Sequence, residues 1–408
     1  MQPSRRQVYR RRRIAVGSAA LVVLATAFYL PLTLLAPVKP IAAAVVTYTP
    51  PAVVQPPVTF PAYGASGVGA IGYPGVLASA GSTDPLPIAS ISKVITALVV
   101  LDAHPLALGE AGPDITFGDI DQGYYDAQLA DGGVVESVSP GQVMSQRNVM
   151  NVMLLESANN YAESLATWAY GSEAAFVDAA RTWLAAHGLT STTIEEPTGV
   201  SPNNRSTVPD LIELARLAEQ DPVVAEITST QTMDVPGIGT IQNRNELLGV
   251  DGVDGIKTGT LDEAGSCLLF SQERTVGSTT ITIVGVVLGG PDHDTIDAAI
   301  QSLLAQVDAG FTDVTLATAG QEFASYESPW GDAASAVAAN DASIAVWSAT
   351  PVSVDVSANP VHLADAGADV GKAVFTVGTR TVTVPLTLSA PIDDPGPWWR
   401  LTNPAKLF

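Results

Sequence analysis

The sequence predicts three parts: a membrane-spanning helix, an α/β unit whose antiparallel sheet encloses a helical insert, and a C-terminal all-β domain. Three observations carry this reading. An uncharged apolar stretch, residues 14–36, directly follows six arginines. Between about residues 63 and 311, short strand patterns at both sequence ends flank a run of helical patterns. After Gly310 the chain turns to Val, Thr, Ala and Asp in alternation, the period of half-buried strands.

The stretch 14–36 is long enough, at a helical rise of about 1.5 Å per residue, to cross a hydrocarbon core of roughly 30 Å. Arg5, Arg6, Arg10, Arg11, Arg12 and Arg13 precede it with no acidic residue among them. That asymmetry predicts a cytoplasmic tail over 1–13 and export of the rest. A cleaved signal, cut near the alanines at 42–44, is the alternative. Residues 37–62 hold Pro37, Pro40, Pro50, Pro51, Pro56, Pro57 and Pro61 and no Gly, which predicts a semi-rigid spacer rather than a packed unit.

In the α/β unit, 68–72 and 75–80 read as strands around Tyr73-Pro74. A helix is expected from Ser90 to about residue 102, with Ile91, Val94, Leu98 and Leu101 as its apolar stripe. Helices follow over 149–155, 161–170 and 173–187, the last with Ser172 as N-cap and Gly188 beyond its end. Thr207-Val208-Pro209-Asp210 resembles a capping box opening a helix to about 220. Strands return at 266–271 and 280–288, and a helix at 295–307. In the β domain, 352–356, 374–377 and 381–384 alternate, with Gly378-Thr379 as a hairpin turn.

Composition excludes several functions. The formal charge of −22 leaves no basic surface for nucleic acid. The single cysteine, Cys267, rules out an internal disulfide framework and a cysteine-based zinc site. The four histidines lack helical ligand spacing, so no metal and no cofactor are expected.

Three short motifs could carry chemistry. Ser90-Ile91-Ser92-Lys93 is an SxxK at a helix start, where positions three apart share a face and the amine reaches the hydroxyl. A serine needs a base to become a nucleophile, and a lysine serves only when its pKa is lowered. Alone the pattern is weak, since roughly two such matches arise by chance in a chain this long. Ser157-Ala158-Asn159 sits in a connector between two helices, where both polar side chains can face a cleft. Lys257-Thr258-Gly259-Thr260 enters a strand; its glycine permits close backbone approach, and its Lys and hydroxyls suit a carboxylate.

Their order, SxxK, SxN, KTG, at spacings of 67 and 100 residues, is the set that marks penicillin-binding proteins and serine β-lactamases. The stretches 87–97, 154–162, 197–204 and 253–259 resemble the D-alanyl-D-alanine carboxypeptidase family, the low-molecular-mass penicillin-binding proteins. The resemblance runs from about 67 to 311, and it implies a β-lactamase/penicillin-binding-protein-like fold with 63–311 as catalytic domain and 312–408 as β domain.

The resemblance also implies roles. Ser90 would be the acylated nucleophile, Lys93 its base and Ser157 a proton shuttle toward the leaving amine. Asn159 would hold the substrate amide. Lys257 would stabilise charge near both serines and keep Lys93 neutral, while Thr258 and Thr260 bind the terminal carboxylate. The backbone N–H groups of Ser90 and Thr260 would form the oxyanion hole. Implied partners are peptidoglycan stem peptides ending in D-Ala-D-Ala, β-lactam inhibitors and, through the N-terminal helix, the bacterial cell membrane. The implied activity is serine-type carboxypeptidase action outside that membrane. The rivals are a non-catalytic muropeptide or β-lactam sensor and a serine β-lactamase. For the latter, Glu195 and Glu196 are the candidate deacylation bases, although Val200 stands where a companion Asn would be expected.

Overall fold

The computed structural model describes residues 5–49, 57–277, 279–348 and 350–408. The first helix, Arg5–Leu34, runs through the arginine cluster, because arginine continues a helix readily. Its apolar window has no burial against the rest of the chain, so by length and composition the helix could cross a membrane. At its far end, Tyr29 donates a hydrogen bond of 2.6 Å to the carbonyl of Leu401. Ala36 and Val38 pack with Leu407, Trp330 and Trp399.

The spacer reading of 37–62 is corrected here. Ala44–Val45 adds an edge strand to Glu322–Glu327 of the C-terminal domain. Ile41 bridges Val361 and joins the core of that domain. The Tyr48 ring meets that of Phe375 edge-on at 5.2 Å. Prolines are tolerated at a sheet edge, so proline content alone did not exclude this pairing. Residues 50–56 lie outside the described residues. Beyond them Val58 and Phe60 pack on the α/β unit.

The central sheet of that unit runs Val253–Leu261, Gly265–Val276, Thr279–Gly290, Ala65–Ala70, Ala78–Gly81, antiparallel throughout. Strands from the two sequence ends meet where Gly285 pairs with Val68. One face carries the helical insert. The other is covered by His293–Gly310 through Ile296, Ile300, Leu303, Leu304 and Val307.

The first two strands begin and end elsewhere than expected, because Gly72 and Gly75 (φ +84° and +65°) widen the turn around Tyr73-Pro74. Ser172 does cap Glu173–Ala186, accepting from the Ala175 N–H. The capping box at Thr207 does not form; Asp210 instead accepts from the Ser191 N–H and the Thr192 hydroxyl. Two helices of the α/β unit escaped the sequence reading: Asp119–Ala130, interrupted in pattern by Gly123, and Pro222–Ser229, which follows its predecessor after one residue.

The C-terminal sheet orders Ala44–Val45, Glu322–Glu327, Ala333–Ala338, Arg380–Leu388, Asp369–Val377, Val352–Ala358. The expected Gly378-Thr379 hairpin is present, with Val377 opposite Arg380. Its tip docks on the α/β unit: Thr379 donates to the Gly72 carbonyl and Arg380 to the Tyr73 hydroxyl. Trp398 is 79% exposed, whereas Trp399 packs against Trp330.

Candidate active site

Ser90 sits in a single 3-10 turn, Ala89–Ile91, that leads into the helix Ser92–Ala103. The expected apolar stripe extends around the helix: every residue from Ser92 to Leu101 is buried. A helix enclosed on all sides buries whatever it carries, and Lys93 is fully buried. Its Nζ donates to Ser90 Oγ at 3.0 Å, to Asn159 Oδ1 at 2.7 Å and to the Thr198 carbonyl at 2.7 Å.

Burial is what brings the Lys93 ammonium down to about 7. Arg244 pushes the same way, and Glu196 and Glu163 oppose it. Lys257 is held well below its ordinary value too, by burial first and by Lys93 second, so each lysine disfavours the other's charge. An amine balanced near neutrality can accept a proton from Ser90 and return it.

Ser157 lies in the three-residue break between the helices Gln146–Leu155 and Asn159–Tyr170, and Asn159 opens the second of them. Ser157 takes the left-handed conformation (φ +62°), and its side chain lines the cleft over Ser90. Among the described residues no hydrogen bond joins Ser157 Oγ to either lysine. Asn159 is 4% exposed and engaged at both ends of its amide, with Lys93 and with Gln128.

The strand Val253–Leu261 brings Lys257, Thr258 and Thr260 alongside. A side chain on Gly259 would lie 3.1 Å from the Ser90 backbone nitrogen, so the glycine lets the strand run close beside the nucleophile without pressing on it. Lys257 Nζ donates to the Thr258 carbonyl at 3.2 Å. Thr258, Gly259 and Thr260 join Ser90 and Ser157 around a cleft of about 520 Å³. All three motifs thus converge on one serine.

Residues 74–291, just over half the chain, match the family model described as D-alanyl-D-alanine carboxypeptidase. The chain belongs to this family. Among curated relatives, a D-alanyl-D-alanine endopeptidase of Pseudomonas aeruginosa is 32% identical over 207 residues, 49% of this chain and 63% of the relative. The D-alanyl-D-alanine carboxypeptidase DacA of Escherichia coli is 27% identical over 248 residues, 60% of each chain. The chain thus spans about three fifths of the length of these relatives. Two solved structures share the fold. The carboxypeptidase DacD of Francisella tularensis has TM-score 0.59 and 18% identity, covering 85% of this chain and 97% of that one. Penicillin binding protein 5 of Haemophilus influenzae has TM-score 0.56 and 21% identity, covering 85% and 100%.

This family member also lines its cleft with groups the motifs did not reveal. Arg244 arrives on a loop, held by Nε donating to the Glu156 carbonyl at 2.7 Å. His293 opens the helix after the sheet, and its Nε2 lies 2.7 Å from the Thr260 hydroxyl. Burial and then Lys257 lower the His293 pKa. Asp292 caps that helix, its side chain accepting from the Thr295 N–H.

Glu196 has a different task from the one considered for it. One oxygen accepts from the N–H and hydroxyl of Thr198, each at 2.6 Å. The other accepts from the N–H groups of Gly199 and Ser201 and from Asn204 Nδ2. A carboxylate so engaged holds a loop and has no free lone pair aimed at water over Ser90. Asn204 also donates to Ser92 Oγ, and Thr96 to the Pro197 carbonyl, which fastens that loop to the catalytic helix.

Proposed function

We propose that the protein is a serine-type D-Ala-D-Ala carboxypeptidase acting on peptidoglycan stem peptides. The observation carrying this reading is the three-way hydrogen bonding of a buried Lys93 to Ser90, Asn159 and Thr198. When Lys93 is neutral, its two N–H bonds go to the oxygens of Asn159 and Thr198. These are permanent acceptors, so the lone pair faces Ser90. Ser90 Oγ then attacks the carbonyl of the penultimate D-Ala while its proton passes to Lys93. The oxyanion is met by the backbone N–H groups of Ser90 and Thr260. Ser157 carries the proton to the departing amine, terminal D-Ala leaves, and water hydrolyses the ester. Thr258, Thr260, Lys257 and the Arg244 guanidinium receive the substrate carboxylate. Asn159 meets the substrate amide with the Nδ2 hydrogen not given to Gln128. β-Lactams acylate the same serine.

The name of the Pseudomonas aeruginosa relative favours a second reading, cleavage of the same kind of bond inside a cross-link. A β-lactamase reading loses its base with Glu196 engaged as described. The N-terminal helix would hold the enzyme in the bacterial cell membrane as a single-pass protein with 63–311 outside. Intact-protein mass spectrometry after penicillin tests the chemistry, with one adduct expected on the wild type and none on Ser90→Ala. Full labelling of Ser90→Ala would overturn it. D-Ala release from a linear pentapeptide against cleavage of a cross-linked dimer separates the two peptidase readings.

A further inference from the structure

We infer that Glu163, acting through Gln128, is a positioning residue that fixes which end of the Asn159 amide meets Lys93 and so aims the lysine lone pair at Ser90. This rests on reading Ser90 and Lys93 as nucleophile and base.

The chain of contacts starts at an accepting oxygen of the Glu163 carboxyl. Gln128 Nε2 donates to Glu163 Oε1 at 3.2 Å. With its NH₂ turned to the carboxyl, Gln128 presents its oxygen in the other direction, and Asn159 Nδ2 donates to it at 2.9 Å. Asn159 must then offer its own oxygen to Lys93, at 2.7 Å. An amide is nearly symmetric in shape, so packing alone would hold either orientation; only the polarity of its partners distinguishes them. Were Asn159 reversed, its NH₂ would face the lysine. The neutral amine would then turn its lone pair to Asn159 instead of Ser90.

The fold is arranged for this chain. Asn159 and Glu163 are four apart on one helix, on the same face. Gln128 reaches between them from the helix Asp119–Ala130. Gly133 lies beside both amides, where a side-chain carbon would come within 2.8 Å of Gln128 Oε1 and 2.9 Å of Asn159 Nδ2. Glu163 Oε2 is buried with no hydrogen-bond partner.

Charge links the same groups. Lys93 faces Glu163 and Glu196, which favour its ammonium form, and Arg244, which opposes it; Lys257 is its other cationic neighbour. Glu163 faces Glu173, Glu196 and Lys93, and burial pushes its carboxyl up to about 7. Removing the Glu163 carboxylate therefore lowers the Lys93 pKa.

The test measures acylation by a fluorescent penicillin across pH for wild type, Glu163→Leu, Glu163→Gln and Gln128→Leu, with thermal melts alongside. Glu163→Leu and Gln128→Leu should lower the high-pH plateau about tenfold or more, within the usual range for a misdirected general base. Glu163→Gln should restore it to within about threefold, because its carbonyl can still accept from Gln128. Both Glu163 variants should move the rising limb to lower pH. A wild-type plateau and midpoint in a folded Glu163→Leu would overturn the inference. Should that variant fail to fold, an unmoved midpoint in Glu163→Gln would overturn it. Failure of the wild type itself to acylate at Ser90 would instead count against the carboxypeptidase reading.

Discussion

The backbone carbonyl of Thr198 lies 2.7 Å from Nζ of Lys93, so a loop far along the chain supplies one wall of the lysine's cradle. That carbonyl is held by Glu196, whose two oxygens gather the N–H groups of Thr198, Gly199 and Ser201. Loop and base therefore stand or fall together.

Glu196→Gln should slow acylation of Ser90 while leaving the lifetime of the acyl-enzyme within about threefold of wild type. A glutamine keeps one acceptor oxygen and turns an NH₂ toward backbone donors, a loss of about 2–4 kcal/mol in charge-assisted bonding. Thermal melts and time-resolved mass spectrometry check both parts. A sharply lengthened acyl-enzyme would return Glu196 to the role of deacylation base.

Gly199→Ala should all but abolish acylation. Gly199 has φ +93°, and a Cβ there would lie 1.9 Å from the Ala89 carbonyl oxygen, next to Ser90. The left-handed backbone alone costs about 1–3 kcal/mol for a non-glycine residue, and the clash bears on backbone that cannot yield cheaply. Penicillin labelling of the folded variant is the measurement.

Acylation should rise with pH through about 7 and level off above it. Neutral Lys93 is the active form, and it is lost as pH falls through the lowered pKa. Below the midpoint the rate drops about tenfold per pH unit. Arg244 holds this pKa down, so Arg244→Gln should move the midpoint upward. A stopped-flow pH profile of both proteins decides it.

The three motifs were legible because they are short, local and chemically distinctive, and Ser172 because caps act within one turn. Arg244 and His293 were not, since each reaches the cleft from a separate loop or helix start and carries no pattern of its own. Glu163 read as one polar residue in a helix; its meaning depends on Gln128, from a helix the pattern did not show. The strand Ala44–Val45 is two residues long, too short for alternation to register, and its proline-rich surroundings pointed to a spacer.

Ile41→Ala should therefore destabilise the C-terminal domain by about 2–4 kcal/mol, as for a large side chain removed from a core. Ile41 is 7% exposed among residues of that domain. Differential scanning calorimetry of the protein should show that domain melting earlier, with penicillin labelling unchanged. A free spacer would show no shift.

Weakening the contact between the two domains should leave the chemistry intact. The hairpin tip meets the α/β unit through Thr379 on the Gly72 carbonyl at 2.9 Å and Arg380 on the Tyr73 hydroxyl at 3.0 Å. The register of the central sheet places this contact away from the site. Thr260 pairs with Ser266, Ser266 with Gly290, and the neighbouring Leu288 with Ala65. At the other end Val253 pairs with Gln272, Gln272 with Ile283, and Ile283 with Ala70, just before Gly72. The strand Ala65–Ala70 separates the two ends by about 16 Å at 3.2–3.4 Å per residue. Thr379→Ala with Arg380→Ala removes two hydrogen bonds and the guanidinium packed 5.7 Å from the Tyr73 ring centre. The loss should be about 1–3 kcal/mol at the interface. Limited proteolysis should then cut between the domains sooner than in wild type, while the acylation rate stays within about twofold. A large fall in acylation with the fold intact would mean that the β domain helps shape the catalytic cleft.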